Sequence, residues 1–362
     1  MIKNIFLEQK INHNFIHPNF VLNGLKFNIQ TIKIFALKCI DSEVNNDVDL
    51  GNFILNWIND SDYISLFTSG TTSKGKQIKI KKISLINSAL STALYFKLKS
   101  GDKLLCCLPF SYIAGKMMLV RSWVLGLSID LVTPSSTPLQ YTNNQHYDFC
   151  SMVPFQVEKS LSKISQIKTL LIGGAPVSKS LALKLVGKES KIYETFGMTE
   201  TVSHFAVKNL SKGESYFSVL PGISISLDKR NCLMVHAPKL NQEKLITNDV
   251  VLLLSSKKFV WVGRYDNIIN SGGIKIYPEE LEKQIGIQVK PRYFISSIKD
   301  ITLGQKVVLV IEGKKIKVNL NWGEIEPIKQ PKSIFFIDKF IETKSGKIRR
   351  QKTLELLNLN QS

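Results

Sequence analysis

The stretch Thr68-Ser69-Gly70-Thr71-Thr72-Ser73-Lys74-Gly75-Lys76 concentrates hydroxyls, glycines and lysines in nine residues. It follows Tyr63–Phe67, an apolar run that predicts a short buried strand. Glycine lets a backbone turn tightly and approach a ligand, so that successive N–H groups point at an anion. Threonine and serine hydroxyls add donors, and Lys76 adds a mobile positive charge. The combination reads as a phosphate cradle. It is not a Walker loop, because Gln77 stands where that pattern needs a magnesium-binding hydroxyl. A second stretch, Thr195-Phe196-Gly197-Met198-Thr199-Glu200-Thr201, sets a carboxylate among hydroxyls after another strand. A hard cation such as Mg²⁺ takes one or two carboxylates together with phosphate oxygens, and Glu200 supplies one.

Such groups need a scaffold. After the first loop, Ile78–Ile80 alternates like a strand and Ser84–Leu98 has helical apolar spacing. Strands are predicted at Lys103–Leu108, Ile129–Val132, Thr169–Ile172 and Lys191–Glu194, with helices at Asp49–Ile58, Ile113–Leu127 and Ser178–Val186. This alternation predicts an α/β fold with a mainly parallel sheet flanked by helices. Ligands in such sheets sit beyond the carboxyl ends of the strands, where the loops at 68–76, 109–115, 173–176 and 195–201 all fall. Strands dominate from Tyr216 to Val262 as a β-rich subdomain, with turns expected at Asp228–Asn231 and Asn248-Asp249. Asp266–Ser271 reads as a linker into a small α+β unit with a helix at Pro278–Ile285, strands at Tyr293–Ser296, Val307–Glu312 and Ser333–Ile337, and a basic tail. The expected division is an N-terminal domain over residues 1–265 and a mobile C-terminal domain over 266–362.

The 362 residues suffice for two domains, and a hydrophobic fraction of 44% excludes a disordered chain. Five cysteines are scattered without CxxC spacing, so neither a zinc site nor a disulfide framework is indicated. The first residues are too polar for a signal peptide, and no apolar run reaches the roughly 18 residues of a membrane span. A cytoplasmic location is expected. The formal net charge of +19 suits anionic partners, but lysine is spread throughout, with no arginine-rich arm and no nucleic-acid motif. No nucleic-acid partner is expected, and the oligomeric state is open.

Taken in order, the motifs resemble those of the adenylate-forming enzymes, a superfamily of acyl-CoA synthetases, luciferases and peptide-synthetase adenylation domains. Thr68, Ser69, Gly70, Thr71, Thr72 and Lys76 match its phosphate loop, with Ser73 and Gly75 departing from the usual Gly and Pro. The resemblance implies that Gly173, Gly174 and Ala175 wall an adenine site. Phe196, replacing the usual tyrosine, would stack on the base beside Gly197. Thr199 would touch the α-phosphate and Glu200 would hold magnesium. Thr247-Asn248-Asp249 is similar to the family's Thr-Gly-Asp, so Asp249 would accept the ribose hydroxyls and Arg264 would contact ribose and phosphate. Asp266 would be the hinge, Ser271, Gly272 and Gly273 with Lys275 nearby would line a CoA channel, and Lys347 would be the catalytic lysine of the C-terminal motif. ATP and CoA are then co-substrates and Mg²⁺ the cofactor.

Leu108–Met118 resembles the acyl-site loop, with Tyr112 at its aromatic position and Gly115 beyond it. With Arg121 and Thr199–His204, it looks like that of the compact o-succinylbenzoate–CoA ligases of menaquinone synthesis. That acid carries a second carboxylate, which Arg121 could hold in a bidentate pair; the other reading of Arg121 is a charge on a helix surface. Two further readings stay open: a ligase for another acyl or aryl acid, and a non-catalytic basic binding protein of the same fold.

Overall fold

The computed structural model describes residues 15–67, 77–240, 244–286, 288–343 and 348–357. Six parallel strands run through a 13-stranded sheet. In spatial order they are Val21–Leu22, Ser128–Leu131, Lys103–Cys106, Tyr147–Met152, Ile167–Ile172 and Lys191–Gly197. Their side chains alternate between two apolar layers, as the two-residue strand period requires. Leu104, Cys106, Phe149 and Leu171 face a layer that holds Ala89, Met117, Val120 and Trp123. These come from the helices Lys82–Phe96 and Ile113–Leu125. Leu105, Cys150, Leu170 and Ile172 face the other layer, with Val157, Leu181 and Leu185. Burying a leucine or isoleucine stabilises by about 1.5–3 kcal/mol, so both layers fix where the strand ends lie.

Past Lys191–Gly197 the sheet becomes antiparallel through His204–Asn209, Phe217–Val219, Lys258–Arg264, Leu245–Ser255, Cys232–His236 and Ser224–Leu227. A separate five-stranded sheet contains Ile269–Ser271, Ile274–Ile276, Tyr293–Asp300, Gly304–Glu312 and Ser333–Ile337. Its strands place Ile295, Leu309 and Ile311 against Leu281 and Ile285 of the helix Pro278–Ile285, and Phe294, Val308 and Val310 against Phe340 and Leu354. The architecture is the expected α/β fold, with a large sheet flanked by helices and a β-rich extension. No helix among the described residues is long and apolar enough to cross a membrane.

Four expectations change. Asn248-Asp249 is not a turn; both lie inside Leu245–Ser255, where Asp249 stands opposite Arg264 in the antiparallel register. Asp266–Ser271 is not wholly a linker, since burial of Ile269 and Ile276 pulls Ile269–Ser271 into a hairpin with Ile274–Ile276. The basic tail contains the helix Arg350–Glu355, seated by buried Thr353 and Leu354. Tyr147–Met152, a central strand, went unanticipated because Asp148 interrupts its apolar run. That carboxylate accepts the Lys103 backbone N–H at 3.1 Å and pairs with Lys168.

Candidate active site

The phosphate-loop residues Thr68, Ser69, Gly70, Thr71, Thr72 and Lys76, and the motif lysine Lys347, lie outside the described residues. The strands entering and leaving the first loop, Tyr63–Phe67 and Gln77–Lys81, pair antiparallel in register from Tyr63–Lys81 to Phe67–Gln77. Lys82, at the end of that pair, is buried and donates its ammonium to the Asn59 carbonyl (2.7 Å) and side chain (2.9 Å), fixing the pair to the preceding helix, Asn45–Ile58.

The carboxyl ends of the parallel strands gather most of the remaining candidates. Gly173 follows Ile167–Ile172 and donates its N–H to the Met152 carbonyl at 3.1 Å. Thr195 Oγ donates to the Ile172 carbonyl at 2.9 Å, tying this turn to the next strand. Phe196 sits on that strand with Phe205, Phe217 and Phe259 edge-on around it, at ring separations of 5.3–5.7 Å. The aromatic cluster thus fixes the ring. Thr199 and Glu200 open a short 3₁₀ turn, and Glu200 is exposed. Thr201 is fully buried; its hydroxyl accepts the Met198 N–H at 3.0 Å and reaches the Met198 and Ser203 carbonyls.

The next residue, Val202, is a backbone outlier. It is buried with φ 68° and ψ −51°, and the Ser203 N–H donates to the Thr201 carbonyl at 2.7 Å across it. This is a γ-turn of the rare hand, centred on a β-branched residue, a conformation that stores about 1–3 kcal/mol of strain. The turn drives the chain sharply into His204–Asn209 and brings Ser203 within 2.7 Å of the Ser88 hydroxyl. Nothing in the sequence announced it. Gly197 is obligatory opposite the turn, because a Cβ there would lie 2.4 Å from the Ser203 carbonyl oxygen.

The acid-loop candidates flank the start of the helix Ile113–Leu125. Tyr112 precedes it and is 41% exposed. Gly115 lets the loop close on the helix: a Cβ would meet the carbonyl oxygens of Pro109 at 2.5 Å and Leu108 at 2.9 Å. Both obstacles are backbone, so Gly115→Ala must displace the loop. The expected results are a loss of about 1–3 kcal/mol in stability by denaturant unfolding and a raised KM for the acid. Unchanged values for both would remove Gly115 from the site.

Arg121 is not a helix-surface charge. It is 3% exposed, its Nη1 contacts Met118 Sδ at 3.7 Å, and its Nε has no hydrogen-bond partner among the described residues. Ser151 Oγ donates to the same sulfur at 3.4 Å, which places Arg121 near the end of Tyr147–Met152. Burial lowers the Arg121 pKa to about 10, with Cys106 opposing the shift. The Cys106 thiol is itself pushed up to about 12 by burial, so at neutral pH it leaves the guanidinium charge uncompensated. His204, missed as a functional residue although it closes the Thr199–His204 stretch, is buried beside them. Burial first and the Arg121 charge second hold it well below its ordinary 6.5, so it is a neutral imidazole. Its Nε2 is also without a partner among the described residues.

A second group forms around Asp249. Trp261 Nε1 donates to one carboxylate oxygen at 3.0 Å, and Arg264 Nη1 reaches the other at 3.5 Å. Through Nη2, Arg264 also holds Asp266 at 3.0 Å, and Asn248 donates to the same carboxylate. The ribose candidate, its neighbouring arginine and the expected hinge are therefore one connected network. Asn267 and Glu279 continue it toward the second sheet, where Glu279 packs on Gly263. Gly272 and Gly273, both with positive φ, make the two-residue turn of the Ile269–Ser271 hairpin. Lys275 is exposed beyond it, while the Ser271 hydroxyl is buried and turned inward.

Among the described residues no cluster of three His, Cys, Asp or Glu side chains could hold a metal by itself. An exposed single carboxylate such as Glu200 fits an ion that takes its other oxygens from phosphate and water.

The chain is similar to known proteins over most of its length. A family model described as AMP-binding enzyme matches residues 40–227, just over half of the chain. A 2–succinylbenzoate–CoA ligase from Listeria monocytogenes is 26% identical over 322 residues, covering 80% of this chain and 69% of that protein. The crystal structure of an acyl-CoA synthetase (AMP-forming)/AMP-acid ligase II-like protein from Dyadobacter fermentans is 31% identical. It aligns over 90% of this chain and 98% of its own, with a TM-score of 0.60. The o-succinylbenzoate coenzyme A synthetase of Bacillus subtilis, in complex with ATP and magnesium ion, shares the fold at a TM-score of 0.71. It is 22% identical, with 80% of this chain and 69% of that one covered.

Proposed function

The chain belongs to the AMP-binding enzyme family, and from that premise we propose that it is an AMP-forming acid–CoA ligase whose acid is o-succinylbenzoate. The carboxylate oxygen of the acid attacks the α-phosphorus of ATP, and the bond to the β-phosphate oxygen breaks to release pyrophosphate. The CoA thiolate then attacks the carbonyl of the acyl-adenylate, the carbonyl–phosphate oxygen bond breaks, and AMP leaves.

The observation that carries the choice of acid is Arg121, a buried guanidinium with no acidic partner among the described residues. A buried charge without a counter-charge is strongly unfavourable, and a ligand bearing a second carboxylate supplies the missing partner. The names of the curated relatives support the same acid. In this reading the Gly173–Ala175 turn and Phe196 bind adenine, and Asp249 and Arg264 bind the ribose. Thr199 meets the α-phosphate, and Tyr112 and Gly115 border the acid. Glu200 would hold Mg²⁺, which when bound neutralises phosphate charge. The residues up to 265 act as the nucleotide- and acid-binding domain, and those from 266 onward swing about Asp266 between the two half-reactions. That rotation brings the Ser271–Gly273 turn, with Lys275, to the CoA side.

The test is a coupled assay with MgATP and CoA, offering o-succinylbenzoate, benzoate, a fatty acid and acetate in turn. AMP release with o-succinylbenzoate alone is expected. Turnover of another acid alone would keep the ligase and discard the reading of Arg121, and no acid-dependent turnover would discard both.

A further inference from the structure

Two polar atoms in this part of the molecule are buried and lack partners among the described residues: Arg121 Nε and His204 Nε2. They come from different elements, the helix Ile113–Leu125 and the strand His204–Asn209, and lie close enough for the Arg121 charge to act on the His204 ring. His204 stands beside Gly197 at the end of the last parallel strand, and Phe96 covers its ring at 6.3 Å. An unpaired buried donor loses its hydration with nothing in return, and two left together are better explained by a shared ligand than by packing.

We propose that His204 is a specificity-determining residue that donates from Nε2 to the substrate carboxylate held by Arg121. The inference rests on the reading of Arg121 given above and extends it to a second contact. A carboxylate can accept from the guanidinium through one oxygen and from the imidazole through the other. The chemistry suits a neutral imidazole, since a second full cation beside Arg121 would be repelled. Burial and the Arg121 charge both favour that neutral form. The strained turn at Val202 then has a use, because it ends directly before the strand His204–Asn209 and so fixes where His204 enters the sheet opposite Gly197.

The test compares His204→Gln, whose amide keeps a donor near the Nε2 position, with His204→Leu, which removes it at similar bulk. The KM for o-succinylbenzoate is expected to rise at least tenfold in His204→Leu and to stay within about threefold of wild type in His204→Gln. The two variants should share one KM for ATP. Equal KM values for the acid in both variants would reduce His204 to a packing residue and overturn the proposal. If Arg121→Met shifts the acid KM and His204→Leu does not, the Arg121 reading stands and the present one falls. If wild type turns over only monoacids, both fall.

A measurement on the wild-type chain covers the case in which His204→Leu does not fold. The chain holds five histidines, so ¹⁵N-histidine labelling gives few signals, and that of His204 is assigned by its loss in whichever variant folds. Its Nε2 signal should move with o-succinylbenzoate and not with 4-oxo-4-phenylbutanoate, which lacks the ring carboxylate. No movement, or the same movement with both acids, would overturn the proposal.

Discussion

Replacing Arg121 by methionine is expected to raise the KM for o-succinylbenzoate about a hundredfold while making the free protein more stable. The two effects share one cause. In the free protein the guanidinium is buried beside a sulfur, a protonated thiol and a neutral imidazole, with no anion among the described residues to offset its desolvation. Buried charges exchanged for apolar groups of similar volume often leave a protein unchanged or more stable by about 1–4 kcal/mol, and methionine fills irregular space well. With the dicarboxylate bound, the same charge makes hydrogen bonds worth about 1.5–3 kcal/mol each, and their loss corresponds to the hundredfold change. Denaturant unfolding and acid-dependent kinetics on one preparation give both signs. A variant that loses stability and keeps its KM would make Arg121 a structural group and withdraw the choice of acid.

Lys347→Ala should cripple the first half-reaction and largely spare the second. A positive charge aimed at the oxygens of a forming acyl-adenylate is worth about 2.7–4 kcal/mol, a loss of 10²–10³ in rate when removed. Lys347 lies outside the described residues, but the chain on either side is well anchored. Glu342 and Ile348 form an isolated antiparallel bridge, and the Arg349 N–H donates to the Ile341 carbonyl at 2.8 Å. Arg350 clamps Glu282 at 2.9 Å and the Ile295 carbonyl at 3.0 Å. ATP–pyrophosphate exchange should therefore fall by at least a hundredfold, while thioester formation from supplied acyl-adenylate stays within about threefold. Equal losses in both half-reactions would remove Lys347 from the first step.

Much of this was legible in the sequence because the parallel core writes itself in apolar runs. Leu104-Leu105-Cys106 and Leu170-Leu171-Ile172 are buried on both faces and read as strands without a structure. The motif loops follow from those strands. What was not legible depended on partners distant in sequence. Asp249 looked like a turn residue because Asn-Asp is a turn pair locally, whereas its conformation is set by Arg264 and Trp261 across the ladder. Arg121 left two readings open, since helical spacing gives no depth; only the packed neighbours show that the side chain is inside. The N-terminal hairpin at Val21–Lys26 carried an Asn23-Gly24 turn signal that the sequence reading passed over. The fold around Val202 had no signal at all, since valine is among the residues least suited to positive φ.

The arginine shared by Asp249 and Asp266 carries a thermodynamic consequence. Arg264 divides one charge between a buried carboxylate that would meet the ribose and an exposed one at the junction to the second sheet. Hydroxyls that take up the lone pairs of Asp249 compete with Arg264 for that oxygen, which frees the guanidinium toward Asp266. Any movement about Asp266 that withdraws its carboxylate sends the guanidinium back to Asp249. With Asp249 and Asp266 in the roles proposed above, nucleotide affinity and the angle at the junction would be linked functions, and the linkage would run equally in both directions. The factor by which bound nucleotide would shift the junction would equal the factor by which the shifted junction would change nucleotide affinity. Product AMP would then be released by the rotation that ends the cycle, with no separate device for letting it go.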